Sequence, residues 1–163
     1  MSAVLKPAES IIRPMDEKDL YGVMAIEERA YQFPWSKQIF LDCLNVGYCC
    51  WVVEQQDQIV AYGIMTVAVG ESHVLNLCVS PDHRSQGLGK QLMMRLLEIA
   101  QDHDVNMTFL EVRPSNFAAI SLYTNLGFNE VGTRRNYYPA KIGREDALVL
   151  ARTFTENEQD ADG

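Results

Sequence analysis

The stretch VSPDHRSQGLGKQLM, residues 79–93, sets Gly87 and Gly89 between an apolar run and the start of a pattern with helical spacing. Glycine weakens a helix and opens backbone conformations closed to other residues. Two of them at such a junction read either as a flexible turn or as a backbone cradle for an anion. Two familiar phosphate motifs fail here. A P-loop needs Gly-x-x-x-x-Gly-Lys-Ser/Thr. In this chain Gly89-Lys90 is followed by Gln91, and Arg84 holds the first glycine's place. A dinucleotide fingerprint, Gly-x-Gly-x-x-Gly, breaks at Leu92. What remains is Arg84-x-x-Gly87-x-Gly89, after a strand and opening a helix. Residues without Cβ let N–H groups approach an anion closely. The helix start adds unpaired donors and about half a positive charge. A pyrophosphate suits that place.

Outward from this junction the chain divides into clear elements. On the N-terminal side, a short IIRP strand leads to Asp16, which caps a helix running to about Ala30, with Leu20, Val23, Met24, Glu27 and Tyr31 at helical spacing. Ser36 caps a second helix with Phe40 and Leu44 on one face. YCCWVVE, IVAYGIMTVAV and SHVLNLCVS then read as three strands. On the C-terminal side, Leu88, Leu92, Leu96 and Ile99 form one helical stripe. TFLEVR is a buried strand, and NFAAISLYTNLGF a helix that Gly127 ends in the left-handed conformation. NEVGTRRNYY and EDALVLART close the chain as strands. The order β-α-α-β-β-β-α-β-α-β-β predicts an α/β (α+β) fold, a mixed sheet with helices on both faces.

With 163 residues, 47% of them hydrophobic and 22% charged, the chain suits one soluble domain with a full core. No apolar run has the length of a membrane span, and MSAVLKPAES lacks the apolar centre of a signal peptide, which together point to the cytoplasm. Four of the acidic residues behind the net charge of -8, Glu156, Glu158, Asp160 and Asp162, sit in the tail FTENEQDADG, which has no basic residue. That balance argues against a nucleic-acid binder and for a basic protein partner. Residues 1–10 are expected to be flexible, 11–153 to form the domain, and 154–163 to be a disordered acidic tail. Cys43, Cys49, Cys50 and Cys78 form no Cys-x-x-Cys pair and read as reduced thiols, with Cys49 and Cys50 on opposite faces of a strand. The three histidines are scattered, with no metal-ligand spacing, so no metal is expected.

Arg84-x-x-Gly87-x-Gly89 at a strand-to-helix junction resembles the acetyl-CoA pyrophosphate loop of the GNAT N-acetyltransferases, and the element order resembles that fold over residues 11–153. RAYQFPWS, LEVRPSNFAAISLYTNLGFNEVGTRRNYYP and GREDALVL are similar to its RimI branch, which acetylates the N-terminal alanine of a small-subunit ribosomal protein, bS18. The resemblance implies acetyl-CoA as co-substrate. Leu77, Cys78 and Val79 would face the pantetheine arm. Ser85, Gln86, Gly87, Leu88, Gly89 and Lys90 would surround the pyrophosphate, and Asn116 would bond the cofactor. RimI proteins often carry arginine where this chain has Ser85, which removes one charge contact and keeps the backbone donor. The resemblance leaves open a partner in a tRNA-modification complex.

Acetyl transfer to an amine needs a neutral amine, an oriented carbonyl and a protonated leaving thiol. Glu111 lies in an apolar strand, where a carboxylate is costly to bury. The resemblance makes it the general base; a plain ion pair with Arg113 on the same strand face, or a solvent-facing residue, is the alternative. Tyr123, seven residues after Asn116, shares its helix face. A phenol, with an ordinary pKa of about 10, suits the acid that protonates the thiolate, the role the resemblance gives it; a packed core aromatic is the alternative. Asn116 also reads as a helix cap. An acetyl-cysteine route through Cys78 lacks a histidine to activate it, so direct transfer is expected. Arg134, Arg135, Asn136, Tyr137 and Tyr138, with Phe33 and Trp35, either line a peptide groove or simply pack. A lysine or small-amine acetyltransferase of the same fold and a non-catalytic acyl-CoA-binding module are the competing functions.

Overall fold

The computed structural model describes residues 9–154. The expectations for residues 1–8 and 155–163 lie outside the described residues. The elements are β1 (Ser10–Pro14), α1 (Leu20–Ala30), α2 (Lys37–Val46), β2 (Cys49–Gln55), β3 (Gln58–Ala68), β4 (Glu71–Val79), α3 (Leu88–Asp102), β5 (Met107–Val112), α4 (Phe117–Asn125), β6 (Asn129–Pro139) and β7 (Arg144–Thr153). Their order is the expected one. The ordered fold also reaches one residue past each expected limit. Ser10 pairs with Gln55, and Phe154 is buried, with its N–H donating to Asn106 O at 3.0 Å.

Local chemistry sets the ends. Asp16 and Asp19 form a reciprocal capping box, but the first turn, Glu17–Asp19, is a 3-10 helix rather than the start of α1. Ser36 Oγ accepts from Ile39 N–H at 3.3 Å, and Gly47, at φ 86°, stops α2 in the left-handed conformation. Along α3, Leu88, Leu92 and Leu96 are buried as expected, while Ile99 lies at the margin. Met93, Leu97 and Ala100 complete a wider apolar face. A helix laid across a sheet buries more than one row of side chains.

The seven strands run in the order β1-β2-β3-β4-β5-β7-β6. Every pairing is antiparallel except β4 with β5. On one face Met93, Leu96 and Tyr123 of α3 and α4 pack on Met65, Val74 and Leu110. On the other, Leu20, Val23 and Phe40 of α1 and α2 pack on Val52, Tyr62 and Ile64. Cys50 belongs to the second cluster and Cys49 lies against the first, so the two thiols do face opposite ways. Each large apolar side chain buried this way contributes about 1.5–3 kcal/mol.

One departure from a regular sheet positions the site. β4 and β5 pair only from Glu71↔Met107 to Val74↔Leu110. Beyond that point β4 stays on β3, where Leu75 is an extra bulged residue between the pairs Met65↔Val74 and Ile64↔Asn76. The edge of β4 toward β5 is therefore open from the bulge onward. A buried hydrogen bond between the Ser72 and Thr108 hydroxyls, 2.5 Å long, fastens the closed end. The strands diverge into a cleft.

Candidate active site

The glycine junction lies at the mouth of this cleft. Ser80 N–H donates to Val60 O at 2.7 Å, a 3-10 turn follows over Pro81–His83, and the chain then passes through Ser85 at φ 66° and Gly87 at φ 78°. Gln91 N–H is the first to bond back into α3, onto Gly87 O at 3.0 Å. The N–H groups of Leu88, Gly89 and Lys90 thus start the helix without helical partners. Gln86 is tied by its side chain to Gln55 at 3.2 Å, which holds the loop against β2. The two glycines do different work. A Cβ on Gly87 would meet no protein atom within 4 Å, so within the protein that residue serves the left-handed backbone conformation rather than packing. A Cβ on Gly89 would lie 3.3 Å from Leu122 Cδ2 of α4 and 3.5 Å from Val79 Cγ2. Gly89 therefore lets α3 approach α4 and β4 closely.

Leu77, Cys78 and Val79 occupy the part of β4 whose β5-facing edge is open. With the free donors of α3, this gives a row of backbone groups leading to a positively polarised helix start. The residues present fit an extended thioester cofactor with a pyrophosphate at one end. Cys78 is buried, and burial pushes its thiol above the ordinary range, so it is a poor nucleophile.

Glu111 sits on β5 just past the last residue paired with β4, with its side chain 4% exposed. The expected alternative, an ion pair with Arg113, does not form. β5 ends at Val112, strand alternation lapses, and Arg113 turns to Glu145 Oε2 at 2.8 Å and Pro139 O at 3.0 Å. Glu111 is met instead by two residues that its sequence neighbourhood does not reveal. His73 Nε2 forms a short hydrogen bond with Glu111 Oε2. Arg134 Nε lies 3.1 Å from Oε1 without the alignment of a hydrogen bond, so Oε1 is buried with its bonding capacity unused. His73 also stacks on Phe109 at 4.4 Å.

Tyr123 is buried on α4, packed on the Phe128 ring at 5.8 Å, and its hydroxyl has no hydrogen-bond partner among the described residues. Burial, then the nearby Cys78, pushes that hydroxyl up to about 12. Asn116 caps α4, its Oδ1 accepting from Ala119 N–H at 3.2 Å, which leaves its amide N–H₂ for another partner. Asn116 is exposed while Tyr123 is buried, so the expected common face holds only loosely.

Around the cleft, β6 pairs with β7 and forms the exposed edge of the sheet. Tyr137 and Tyr138 meet edge to face at 4.8 Å, with Arg113 over Tyr138 at 4.4 Å. Tyr138 is held above the ordinary phenol range by burial first, and it lies within electrostatic reach of both Glu111 and Tyr123. Phe33 is 41% exposed, whereas Trp35 packs on Phe40 at 5.2 Å. A second buried carboxylate, Glu27, was legible only as a member of the α1 stripe. It accepts from Trp35 N–H at 3.0 Å, from Asn76 Nδ2 at 3.2 Å and from the Tyr62 hydroxyl. This fixes the α1–α2 loop to β3 and β4.

Residues 18–128 match the acetyltransferase (GNAT) family. The [ribosomal protein bS18]-alanine N-acetyltransferase of Escherichia coli (strain K12) is 41% identical over 140 residues, 86% of this chain and 95% of that protein. The enzyme of the same name from Haemophilus ducreyi is 35% identical over 142 residues, 86% of this chain and 98% of its own. The crystal structure of the E. coli ribosomal-protein-S18-alanine N-acetyltransferase superposes with a TM-score of 0.83 at 39% identity, covering 91% of this chain and 98% of that one. Loop, diverging strands and relatives agree: this chain belongs to the GNAT acetyltransferase family.

Proposed function

We propose that this protein transfers the acetyl group of acetyl-CoA to the N-terminal α-amine of a protein, and that its substrate is the N-terminal alanine of ribosomal protein bS18. The relatives' shared name supports the substrate, and with it the cytoplasm, where ribosomal proteins are made, as the place of action. The observation that carries the chemistry is Glu111, a buried carboxylate beside the open cleft whose Oε1 makes no hydrogen bond and faces only the half-exposed Arg134. We read residues 11–153 as the catalytic domain. A tRNA-modification partner has no support in the relatives' names.

Acetyl-CoA supplies the acetyl group as a thioester. Backbone groups of Leu77, Cys78 and Val79 hold its arm, those of Ser85 to Lys90 its pyrophosphate, and the Asn116 amide adds a further bond. Glu111 takes a proton from the α-ammonium, freeing the lone pair that attacks the carbonyl carbon. Tyr123, protonated throughout the working range, gives its proton to the departing sulfur, and the second proton that the nitrogen loses as the amide forms restores the phenol. No covalent enzyme intermediate is needed.

The reading predicts a strong preference for an α-amine over a lysine side chain. The ordinary pKa values of the two amines are about 8 and about 10.4, so near neutral pH the free-amine fractions differ by roughly two hundredfold. One carboxylate can complete deprotonation of the first. The excess of acidic residues also favours peptides with basic residues after the alanine, through a salt-sensitive encounter. The test compares kcat/KM for an Ala-initiated basic peptide with that for its N-blocked, lysine-containing counterpart. A large excess for the first is expected. Comparable values at neutral and mildly alkaline pH would favour a lysine acetyltransferase, and absence of thiol release with either would favour a binding module.

A further inference from the structure

The carboxylate that this reading makes the base is not left to orient itself. Glu111 and His73 lie on the two strands that form the one parallel pair, and the closed part of that ladder sets His73 opposite Phe109. Glu111 is two residues beyond Phe109, so both project from β5 toward the same sheet face. The imidazole stacks on the Phe109 ring at 4.4 Å, with an interplanar angle of 22°, which fixes its plane. Its Nε2 is thereby aimed at Glu111 Oε2. A carboxylate only accepts hydrogen bonds, so Nε2 carries the proton in this contact. The opposite oxygen has a different environment. Oε1 is buried, makes no hydrogen bond, and faces the Arg134 guanidinium at 3.1 Å.

We propose that His73 is a positioning residue for the acetyl-transfer reaction: by engaging Glu111 Oε2, it leaves Oε1 as the single oxygen that meets the incoming amine. The proposal rests on Glu111 being the base. Without the imidazole, the carboxylate is free to rotate further toward Arg134, whose half-exposed guanidinium already faces Oε1 and can pair with both oxygens of a carboxylate. That would convert the present one-oxygen contact with Arg134 into a two-oxygen ion pair and turn the base from the amine. Tyr137 and Tyr138 are the other ionisable groups in reach of Glu111, and both are held protonated by burial. His73 is thus the one group, among the described residues, placed to oppose Arg134. The proton itself moves only from the ammonium nitrogen to Oε1, and His73 keeps its own.

The test is a kinetic cycle on the full-length enzyme with an Ala-initiated peptide, using His73→Leu, His73→Gln, Glu111→Gln and the double variant His73→Leu/Glu111→Gln. A glutamine amide can place a donor near the position of Nε2 but cannot titrate. His73→Leu should lower kcat about tenfold, a part of the ~100-fold or more that a positioned base supplies, with KM for acetyl-CoA unchanged. His73→Gln should recover most of that loss. In the Glu111→Gln background, His73→Leu should cost nothing more, because there is no base left to orient. An equal loss from His73→Leu in both backgrounds would overturn the proposal, as would a His73→Gln enzyme as slow as His73→Leu, which would make the imidazole a proton carrier. Full activity in His73→Leu with a crippled Glu111→Gln would overturn this proposal alone. Full activity in Glu111→Gln would remove the base assignment and this proposal with it.

Discussion

In the proposed reaction Glu111 and Tyr123 divide the proton chemistry between a buried acceptor and a buried donor, and each can be removed with little change in shape. Glu111→Gln keeps the volume and loses the charge. It should lower kcat by ~100-fold or more at neutral pH and leave acetyl-CoA affinity intact, as measured by steady-state kinetics and calorimetry. Tyr123→Phe retains the ring that packs on Phe128, so the fold should hold. Its deficit in kcat should shrink with an acyl donor whose thiol is more acidic, since such a leaving group needs less protonation. An equal deficit with both donors would take the acid role from Tyr123. The sequence singled out both residues as candidates, with their roles implied by the family resemblance. A carboxylate amid TFLEVR is costly to bury, which marks Glu111, and a phenol with its ordinary pKa of about 10 in the next helix marks Tyr123 as a proton donor candidate. His73 was not legible, because its partner is 38 residues away on another strand and no local pattern announces that contact. The expected Glu111–Arg113 pair failed for a related reason. Strand alternation does not continue to Arg113, one residue past the true end of β5.

At the scale of elements, the loop before α3 and the contact of α3 with α4 depend on different glycines. By sequence alone both have the same task, close approach of a phosphate. The structure separates them. Gly87→Val forces a β-branched residue into φ 78°, at a cost on the order of 1–3 kcal/mol, and should weaken acetyl-CoA binding by distorting the cradle. Gly89→Ala should weaken it by pushing α3 from Leu122, whose Cδ2 would be 3.3 Å from the new methyl. Adding Leu122→Ala should therefore restore much of the affinity of Gly89→Ala and none of that of Gly87→Val. Ser85→Ala, which keeps the backbone N–H, should change affinity little. Calorimetry on these variants decides the matter, and equal rescue of both glycine variants would refute the division. Element boundaries were readable here because caps are local: Asp16, Ser36, Asn116 and Gly127 each act within a few residues of themselves. The divergence of β4 from β5 was not, because it depends on a pairing between residues 71–74 and 107–110 that no local signal fixes.

The whole molecule is closed at its other end by a charge network that joins β1, the turn before α1, and β2. Arg13 holds Asp19 through two hydrogen bonds of 2.8 Å and Glu54 through one of 2.9 Å. Asp19 is buried, and the Arg13 guanidinium holds its carboxyl below the ordinary range, assisted by the Asp16 N–H and opposed by burial. A carboxyl depressed in the folded state binds a proton more readily when unfolded. Its stabilising contribution is therefore complete above the unfolded value of about 3.9 and fades as pH falls from there through the folded value. Arg13→Gln removes the partner and leaves Asp19 buried with its cap contacts. At neutral pH this variant should be less stable by about 2 kcal/mol, the scale of hydrogen bonds to a charged group. Below about pH 4 the gap to the unaltered protein should narrow, because Asp19 becomes neutral and no longer needs the cation. Urea unfolding followed from neutral to strongly acidic pH measures both effects. A gap that stays constant across that range would mean that Arg13 stabilises the sheet edge by packing its stem, and that the charge of Asp19 contributes nothing.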